Sequence, residues 1–158
     1  MKRGTNNFEA VVENKGSFAR LARLSRCQFV LSSMNTRVSI VTGASRGIGF
    51  FIAKALAEDF GHHVIVTGRN VTRLEDLANQ TQGTITVAPA DITSEQDRQS
   101  IHSVVDRVCQ HPDHHFFGIV HNAGLLIAKP FDELTEQDWN QQWQVNVLGP
   151  ALLTKTLA

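Results

Sequence analysis

The sequence predicts a doubly wound α/β fold, in which a parallel β-sheet is covered by helices on both faces. Short apolar runs rich in β-branched residues alternate with longer segments whose apolar residues recur at helical spacing. The apolar runs are continuous rather than alternating, as expected of strands that are buried on both faces. The resulting order, βαβαβαβα, predicts four parallel strands joined by right-handed crossovers. The order expected across such a sheet is 3-2-1-4.

The first strand and helix are the clearest elements. The β-branched run Val38–Thr42 predicts a buried strand. Gly47–Phe60 has apolar residues at helical spacing, and Gly61 directly after it is a C-cap signal. Val64–Thr67 is short, apolar and β-branched, which predicts the second strand.

The middle elements are bounded by capping residues. Asn70 is suited to cap a second helix that runs to about Gln80. Thr84–Ala88 predicts the third strand. Thr93 with Gln96 has the spacing of a capping box, which predicts the start of the third helix.

The last two elements are a strand and a long helix. Phe116–His121 predicts the fourth strand, which is expected to be an open apolar edge of the sheet. Thr135 with Asp138 indicates the start of a helix that runs to the end of the chain, bent by Pro150. Several apolar residues of this helix are expected to be partly exposed: Trp139, Trp143, Val147, Leu152 and Leu153.

Composition restricts the classes of protein that the chain can represent. Its 158 residues include 15 basic, 15 acidic, seven histidine, two cysteine and no tyrosine residues. The zero net charge argues against a nucleic-acid partner, and no apolar run approaches the roughly 18 residues that a membrane span needs. Cys27 and Cys109 fit no metal or redox spacing, which predicts reduced thiols in the cytoplasm. The histidines at 62–63 and 111–115 are interpreted as solvated turn residues, and no metal site is predicted.

Residues 1–33 differ in charge from the rest of the chain. They hold six basic and two acidic residues, a net charge of +4. Met34 directly precedes the first predicted strand and has the position of a natural start. We therefore interpret 1–33 as a disordered or dispensable leader and 34–158 as the folded domain. An amphipathic targeting helix at Ser17–Leu24 is the alternative.

A glycine-rich loop joins the first strand to the first helix. In Thr42–Gly49 (TGASRGIG) the glycines follow the spacing GxxxGxG. Backbone amides at a helix N-terminus attract an anion, and glycines let a pyrophosphate come close. The GK[ST] ending of a Walker A loop is missing. The strand–loop–helix context therefore predicts a dinucleotide-binding site, with a plain turn as the alternative.

Four motifs in this order resemble the short-chain dehydrogenase/reductase family. They are the glycine loop, Asp91 after the third strand, Asn122-Ala123-Gly124 after the fourth, and Asn146 in the last helix. The resemblance covers residues 37–158 and implies an incomplete Rossmann-like domain.

The resemblance also assigns expected roles. In the family the glycine loop holds the cofactor pyrophosphate, and the residue matching Asp91 lies beside the adenine. The asparagine matching Asn146 kinks its helix and positions a water in the proton relay, so Asn146 is the expected catalytic residue. Capping of the turn before Thr93 is a second interpretation of Asp91. The expected cofactor-binding residues are Gly43, Ser45, Arg46, Gly47, Ile48, Gly49, Arg69, Asp91, Ile92, Asn122, Ala123 and Gly124.

The end of the second strand distinguishes the two nicotinamide cofactors. An acidic residue there binds the ribose 2′-hydroxyl of NAD, whereas arginine accommodates the 2′-phosphate of NADP. This chain reads Thr67-Gly68-Arg69, with no carboxylate, and Arg46 lies in the glycine loop. A guanidinium matches a phosphate in geometry and charge. The sequence therefore favours NADP(H) over NAD(H).

The family's catalytic tyrosine has no counterpart in this chain. The family uses a serine and a Tyr-x-x-x-Lys pair, and this chain contains no tyrosine. We therefore expect an inactive chain, cut before the catalytic residues of an enzyme that transfers hydride between NADP(H) and a carbonyl or alcohol substrate. The family also implies a homo-oligomer for the complete protein. A non-catalytic dinucleotide-binding protein and a nonfunctional truncation product are the alternatives.

Overall fold

The computed structural model describes residues 35–158, so the predictions for residues 1–33 lie outside the described residues. The described part contains one parallel sheet whose order is β3-β2-β1-β4, which confirms the predicted order. Its strands are β1 (Thr36–Thr42), β2 (His63–Thr67), β3 (Ile85–Val87) and β4 (His114–Val120). The crossover helices are α1 (Gly47–Glu58), α2 (Val71–Gln80) and α3 (Glu95–Cys109). Beyond β4 lie a 3₁₀ turn (Phe131–Glu133), α4 (Glu136–Trp143), a π-helical segment (Gln144–Leu148) and α5 (Gly149–Leu157).

The sheet is packed on both faces, as the doubly wound prediction requires. Successive residues of a strand point to opposite faces. Ile40 packs in a cluster with Ile101 of α3 and Leu153 of α5. Val41 packs in a second cluster that includes Leu74 of α2 and residues of α1. The expected partial exposure of Leu153 is therefore wrong, because its side chain is fully buried in the first cluster.

Local capping agrees with the sequence at two of three helix starts. Asn70 accepts a hydrogen bond from the Arg73 amide, and Thr135 with Asp138 forms a complete capping box. The capping box predicted at Thr93 and Gln96 is wrong. Ser94 caps α3 by accepting from the Asp97 amide at 3.3 Å. The Thr93 hydroxyl instead donates to the Asp91 carboxylate at 2.7 Å.

The long C-terminal helix is continuous but changes its hydrogen-bonding pattern. The Gly149 amide bonds to the Gln144 carbonyl, which widens the turn over Gln144–Leu148. Pro150 lies at the first turn of α5, where its missing N–H costs little. A bend was predicted at Pro150, but the irregular hydrogen bonding lies before the proline, at Gln144–Leu148. No helix within residues 35–158 is long and apolar enough to cross a bilayer.

β4 is the edge strand of the sheet, and it carries a β-bulge where it pairs with β1. In the register with β1, Val38 pairs with Phe116 and Ser39 with Gly118, so Phe117 is the extra residue. Its ring is 58% exposed and lies 5.1 Å from the Arg37 guanidinium carbon. Trp139 and Trp143 are also more than half exposed. These apolar surfaces agree with the expected open edge and the expected exposure of the last helix.

The paired histidines are not solvated turn residues. His62 and His63 are buried, and their rings bond to Ser39 Oγ at 2.8 Å and Thr86 Oγ1 at 2.7 Å. His114 belongs to β4 and lies against His63, with ring centroids 5.1 Å apart. The prediction failed because β2 and β4 each begin with residues before their apolar runs. The parallel pairing thereby brings polar rings to the amino end of the sheet.

Folding stability is expected to decrease as the pH falls below about 6.5, the ordinary histidine value. Burial lowers the pKa of His62, and the positive charges of Arg37 and His115 lower it further. Burial and His114 lower the pKa of His63. The unfolded chain then takes up protons that the folded chain does not, so each group removes at most about 1.4 kcal/mol per pH unit. Urea unfolding at pH 8 and pH 5.5 measures this change.

The variant His63→Gln tests the source of this pH dependence. It is expected to reduce the loss of stability between pH 8 and pH 5.5, because the titrating ring is gone. His102→Gln, on the accessible face of α3, is the matched control and is expected to keep the full loss. An equal loss in both variants would show that the buried ring is not responsible.

Candidate active site

The predicted site residues converge at the carboxyl end of the sheet. The chain passes from β1 to β2 and β3 on one side and returns to β4 on the other, which opens a crevice above β1. A cleft of about 530 Å³ lies there, within the range of small-molecule sites. All the predicted cofactor-binding residues line it except Gly49, which lies buried beneath the glycine loop.

The glycine loop presents an uncapped helix N-terminus to this cleft. Gly43 and Gly47 have φ of +67° and +59°, the left-handed region that glycine adopts without strain. The N-cap residue of α1, Arg46, makes no side-chain capping bond, and the first turn has no acidic residue. A side chain added at Gly47 would meet nothing within 4 Å. The free amides and the open space fit an anion such as a pyrophosphate.

Gly49 and Asn122 lock the loop to the end of β4. The Asn122 side-chain amide donates to the carbonyls of Thr42 at 3.0 Å and Gly43 at 3.2 Å. A Cβ added at Gly49 would overlap this amide and lie 2.6 Å from the Gly43 carbonyl oxygen. Only glycine therefore lets the first turn of α1 approach the loop this closely.

Thr42 joins the two strands that form the crevice. Its hydroxyl oxygen accepts from the backbone amides of Asn122 and Ala123, each at 3.0 Å. The Thr42 side chain is fully buried. The Asn122 backbone amide also donates to the Val120 carbonyl at 3.1 Å, so it is the Ala123 amide that depends on the Thr42 hydroxyl. Thr42 was not among the predicted site residues, although it directly precedes Gly43 of the glycine loop.

Two arginines lie on the β2 side of the cleft. Arg46 and Arg69 both line it, and the Ala44 amide ties the glycine loop to β2 by donating to the Thr67 carbonyl at 3.1 Å. No carboxylate occupies the positions that directly follow β2. The geometry therefore presents positive charge where the sequence analysis expected it.

Asp91 both lines the cleft and caps the turn before Thr93. It lines the cleft, and its carboxylate also accepts from the Thr93 amide at 2.9 Å and the Thr93 hydroxyl at 2.7 Å. Burial acts to raise the pKa of the Asp91 carboxyl, but these hydrogen bonds and the nearby Arg69 charge lower it below its ordinary value. Asp91 therefore stays ionised at neutral pH.

Asn146 lies outside the lining of the cleft, in the π-helical segment. Its amide pairs with the backbone of Leu125, accepting from the amide at 2.7 Å and donating to the carbonyl at 2.8 Å. A second bond set holds the following loop. Lys129 Nζ lies 2.7 Å from Asp138 Oδ2, and bonds from Lys129 and Thr135 lower the pKa of Asp138 to about 2. The Ile127 amide also donates to Gln142 Oε1 at 3.2 Å, so several bonds fasten the chain after β4 to the last helix.

Five residues that were not predicted as cofactor-binding also line the cleft: Thr67, Gly68, Ala90, Leu125 and Val145. Gly68 and Val145 adjoin predicted residues, so adjacency was the available signal. Among residues 35–158, no three histidine, cysteine, aspartate or glutamate side chains lie together in a way that would hold a metal ion.

Comparisons with known proteins agree with this architecture. A family model described as short chain dehydrogenase matches residues 37–158. An uncharacterised oxidoreductase of Staphylococcus aureus (strain USA300) is 29% identical over 123 residues, which cover 75% of this chain and 50% of that protein. The chain thus spans about half the length of the curated relatives it matches.

Solved structures give the same result. A short-chain dehydrogenase from Streptomyces avermitilis is 30% identical with a TM-score of 0.69, and the match covers 79% of this chain and 44% of that one. A metagenomic short-chain oxidoreductase solved in complex with NADP is 27% identical with a TM-score of 0.64, covering 78% and 56%. The family match, the strand order and the glycine loop lead to one conclusion: the chain belongs to the short-chain dehydrogenase/reductase family.

Proposed function

We propose that this chain binds NADP(H) in the cleft above β1. We further propose that the complete protein transfers hydride between NADP(H) and a carbonyl or alcohol substrate. The observation that carries the cofactor choice is the pair Arg46 and Arg69 on the β2 side, with no carboxylate beside them. Arginine fits a 2′-phosphate, whereas a carboxylate would repel it. The related oxidoreductase solved with NADP supports the same cofactor class.

The residues of the cleft divide the proposed binding between them. The amides at the start of α1 would hold the pyrophosphate, and the two arginines the 2′-phosphate. Asp91 and Ile92 would border the adenine, and Asn122–Gly124 the wall toward the nicotinamide. When bound, the cofactor supplies or accepts the hydride. Asn146 would hold the water of the proton relay beside the Leu125 backbone.

The proposal separates binding from turnover. Hydride transfer to a carbonyl needs a proton donor at the developing alkoxide, and this chain has no tyrosine to serve as the family's donor. The chain alone is therefore proposed to bind NADPH without oxidising it. The complete protein is proposed to be a cytoplasmic homo-oligomer, since the exposed Trp139, Trp143 and Val147 form apolar surface suited to burial.

Replacing either arginine is expected to weaken NADPH binding and to leave NADH binding unchanged. A charge-assisted hydrogen bond lost from the 2′-phosphate corresponds to about a 10- to 100-fold increase in the NADPH dissociation constant. Titration calorimetry of Arg46→Ser and Arg69→Ser with both cofactors measures this effect. Arg73→Ser is the matched control, because Arg73 is exposed on α2 and does not line the cleft.

The outcomes distinguish the alternatives. Equal weakening of NADPH and NADH in the two variants would refute the role in 2′-phosphate binding. Binding of neither cofactor by the unmodified chain would favour a nonfunctional product. Tight NADPH binding by the complete protein, without reduction of any carbonyl substrate, would favour the non-catalytic binding protein.

A further inference from the structure

The segment between β3 and α3 forms the wall of the cleft where the adenine is proposed to lie. Ala90, Asp91 and Ile92 line the cleft there. The Ala90 amide bonds to the Gly68 carbonyl at 3.1 Å, as if it extended the sheet by one rung. After this bond, the backbone groups of the next residues have no neighbouring strand to pair with. The Asp91 amide and the Ile92 carbonyl need partners from elsewhere.

Two consecutive side chains of α3 supply these partners. Asp97 Oδ2 accepts from the Asp91 amide at 2.7 Å. Arg98 Nη1 donates to the Ile92 carbonyl at 2.8 Å. The first turns of α3 therefore hold both the donor and the acceptor that the sheet leaves unpaired.

Arg98 is buried although its guanidinium makes a single hydrogen bond to the backbone. Its residue is only 6% exposed, and within residues 35–158 no carboxylate forms an ion pair with it. Burying a guanidinium without a carboxylate is costly, and one backbone bond offsets only part of that cost. A purely structural bond to this carbonyl would not need a charged group.

The side chain of Ile92 is fixed from the opposite direction. A Cβ added at Gly149 would lie 3.1 Å from Ile92 Cγ1, so the start of α5 packs directly against this side chain. Arg98 holds the Ile92 backbone and Gly149 limits its side chain. The segment that lines the cleft is thus held on its backbone by α3 and on the Ile92 side chain by α5.

We propose that Asp97 and Arg98 are positioning residues, which fix the Asp91–Ile92 peptide so that this wall is preorganised for the adenine of the cofactor. The inference rests on the proposed function. It predicts that the two residues set affinity for the adenosine end of the ligand through the loop, without contacting the ligand.

Titration calorimetry of the 158-residue chain with NADPH and with adenosine 2′,5′-bisphosphate tests this role. Asp97→Ala and Arg98→Met are expected to weaken both ligands by about 5- to 10-fold, the effect of one hydrogen bond. Arg98→Lys keeps a donor and is expected to remain within about twofold of the unmodified chain. Val105→Ala is the matched control, because this buried residue lies about two turns beyond Arg98 on α3 and is expected to affect stability rather than the hydrogen bonds of the loop.

Hydrogen exchange of the Asp91 amide provides a readout that does not depend on the ligand. It is expected to be slow in the unmodified chain and in Val105→Ala and at least about tenfold faster in Asp97→Ala. Unchanged affinities in Asp97→Ala and Arg98→Met would overturn the inference while leaving NADPH binding intact. Weakening by Val105→Ala to the same extent would reduce the role to general stability. Failure of the unmodified chain to bind NADPH would refute the proposed function itself.

Discussion

Replacing Thr42 by valine is expected to destabilise the fold by about 1–3 kcal/mol, the cost of leaving one buried group without a partner. Valine has nearly the shape of threonine but cannot accept hydrogen bonds. The Ala123 amide, 3.0 Å from the Thr42 hydroxyl, would lose its acceptor, whereas the Asn122 backbone amide would keep the Val120 carbonyl at 3.1 Å. Urea unfolding monitored by circular dichroism measures the change in the free energy of unfolding.

Thr67 offers a control in the same position of the neighbouring strand. It pairs with Thr42 in the β1–β2 register and is equally buried, but its hydroxyl oxygen has no hydrogen-bond partner. Thr67→Val is therefore expected to be neutral or stabilising. Thr42→Ser, which keeps the hydroxyl, is expected to cost about 1 kcal/mol for the lost methyl group. Similar losses in Thr42→Val and Thr67→Val would contradict the proposed importance of the Thr42 bonds.

Replacing Gly49 by alanine is expected to destabilise the fold by about 2–3 kcal/mol through overpacking. The added methyl group would overlap the Asn122 amide and approach the Gly43 carbonyl oxygen to 2.6 Å. The carbonyl is part of the backbone, so the loop or the start of α1 must move. Thermal and urea unfolding measure the loss of stability.

Gly47→Ala separates loss of stability from loss of binding. A methyl group there has open space, so the expected cost is about 1–2 kcal/mol from the positive φ alone. The same methyl group would occupy the space proposed for the pyrophosphate, so NADPH binding is expected to fall more than stability does. For Gly49→Ala, a stability equal to that of the unmodified chain would show that the loop accommodates the methyl group and that its packing is not tight.

The fold was predictable because its information is local. Continuous apolar runs identified β1 and β2, and Asn70 and Thr135 identified two helix starts correctly. Errors arose where two local signals competed. Thr93 and Ser94 are adjacent candidates for the same cap, and in the structure Ser94 caps the helix while Thr93 bonds to Asp91.

Features that depend on tertiary contacts were not predictable. The burial of His62 and His63 follows from parallel pairing with neighbours about twenty residues away, such as Ser39 and Thr86. The burial of Leu153 depends on the sheet face that α5 covers. No sequence pattern distinguished the π-helical turn at Asn146 from an ordinary helix.

The motif residues of the candidate site were predicted, but the residues that hold these motifs in place were not. Residues of the glycine loop, Asp91 and Asn122–Gly124 line one cleft, as expected. The residues that hold those motifs in place were not identified, because no sequence pattern marks a side chain that bonds to the backbone of another segment. Asp97 and Arg98 bond residues six positions away. Thr42 bonds residues 80 and 81 positions away.

The position of β1 between β2 and β4 also determines when the site is able to form. During synthesis β1 gains its β2 neighbour early, but its other edge waits for β4, which lies 78 residues further along the chain at Thr36↔His114. Closing a loop of that length costs conformational entropy, and the stabilising contacts between β1 and β4 form only afterwards. A nascent chain that has not yet emerged past Ala123 therefore has its glycine loop but no opposite wall. The proposed binding of the cofactor would consequently come late in folding, after the two halves of the sheet have joined.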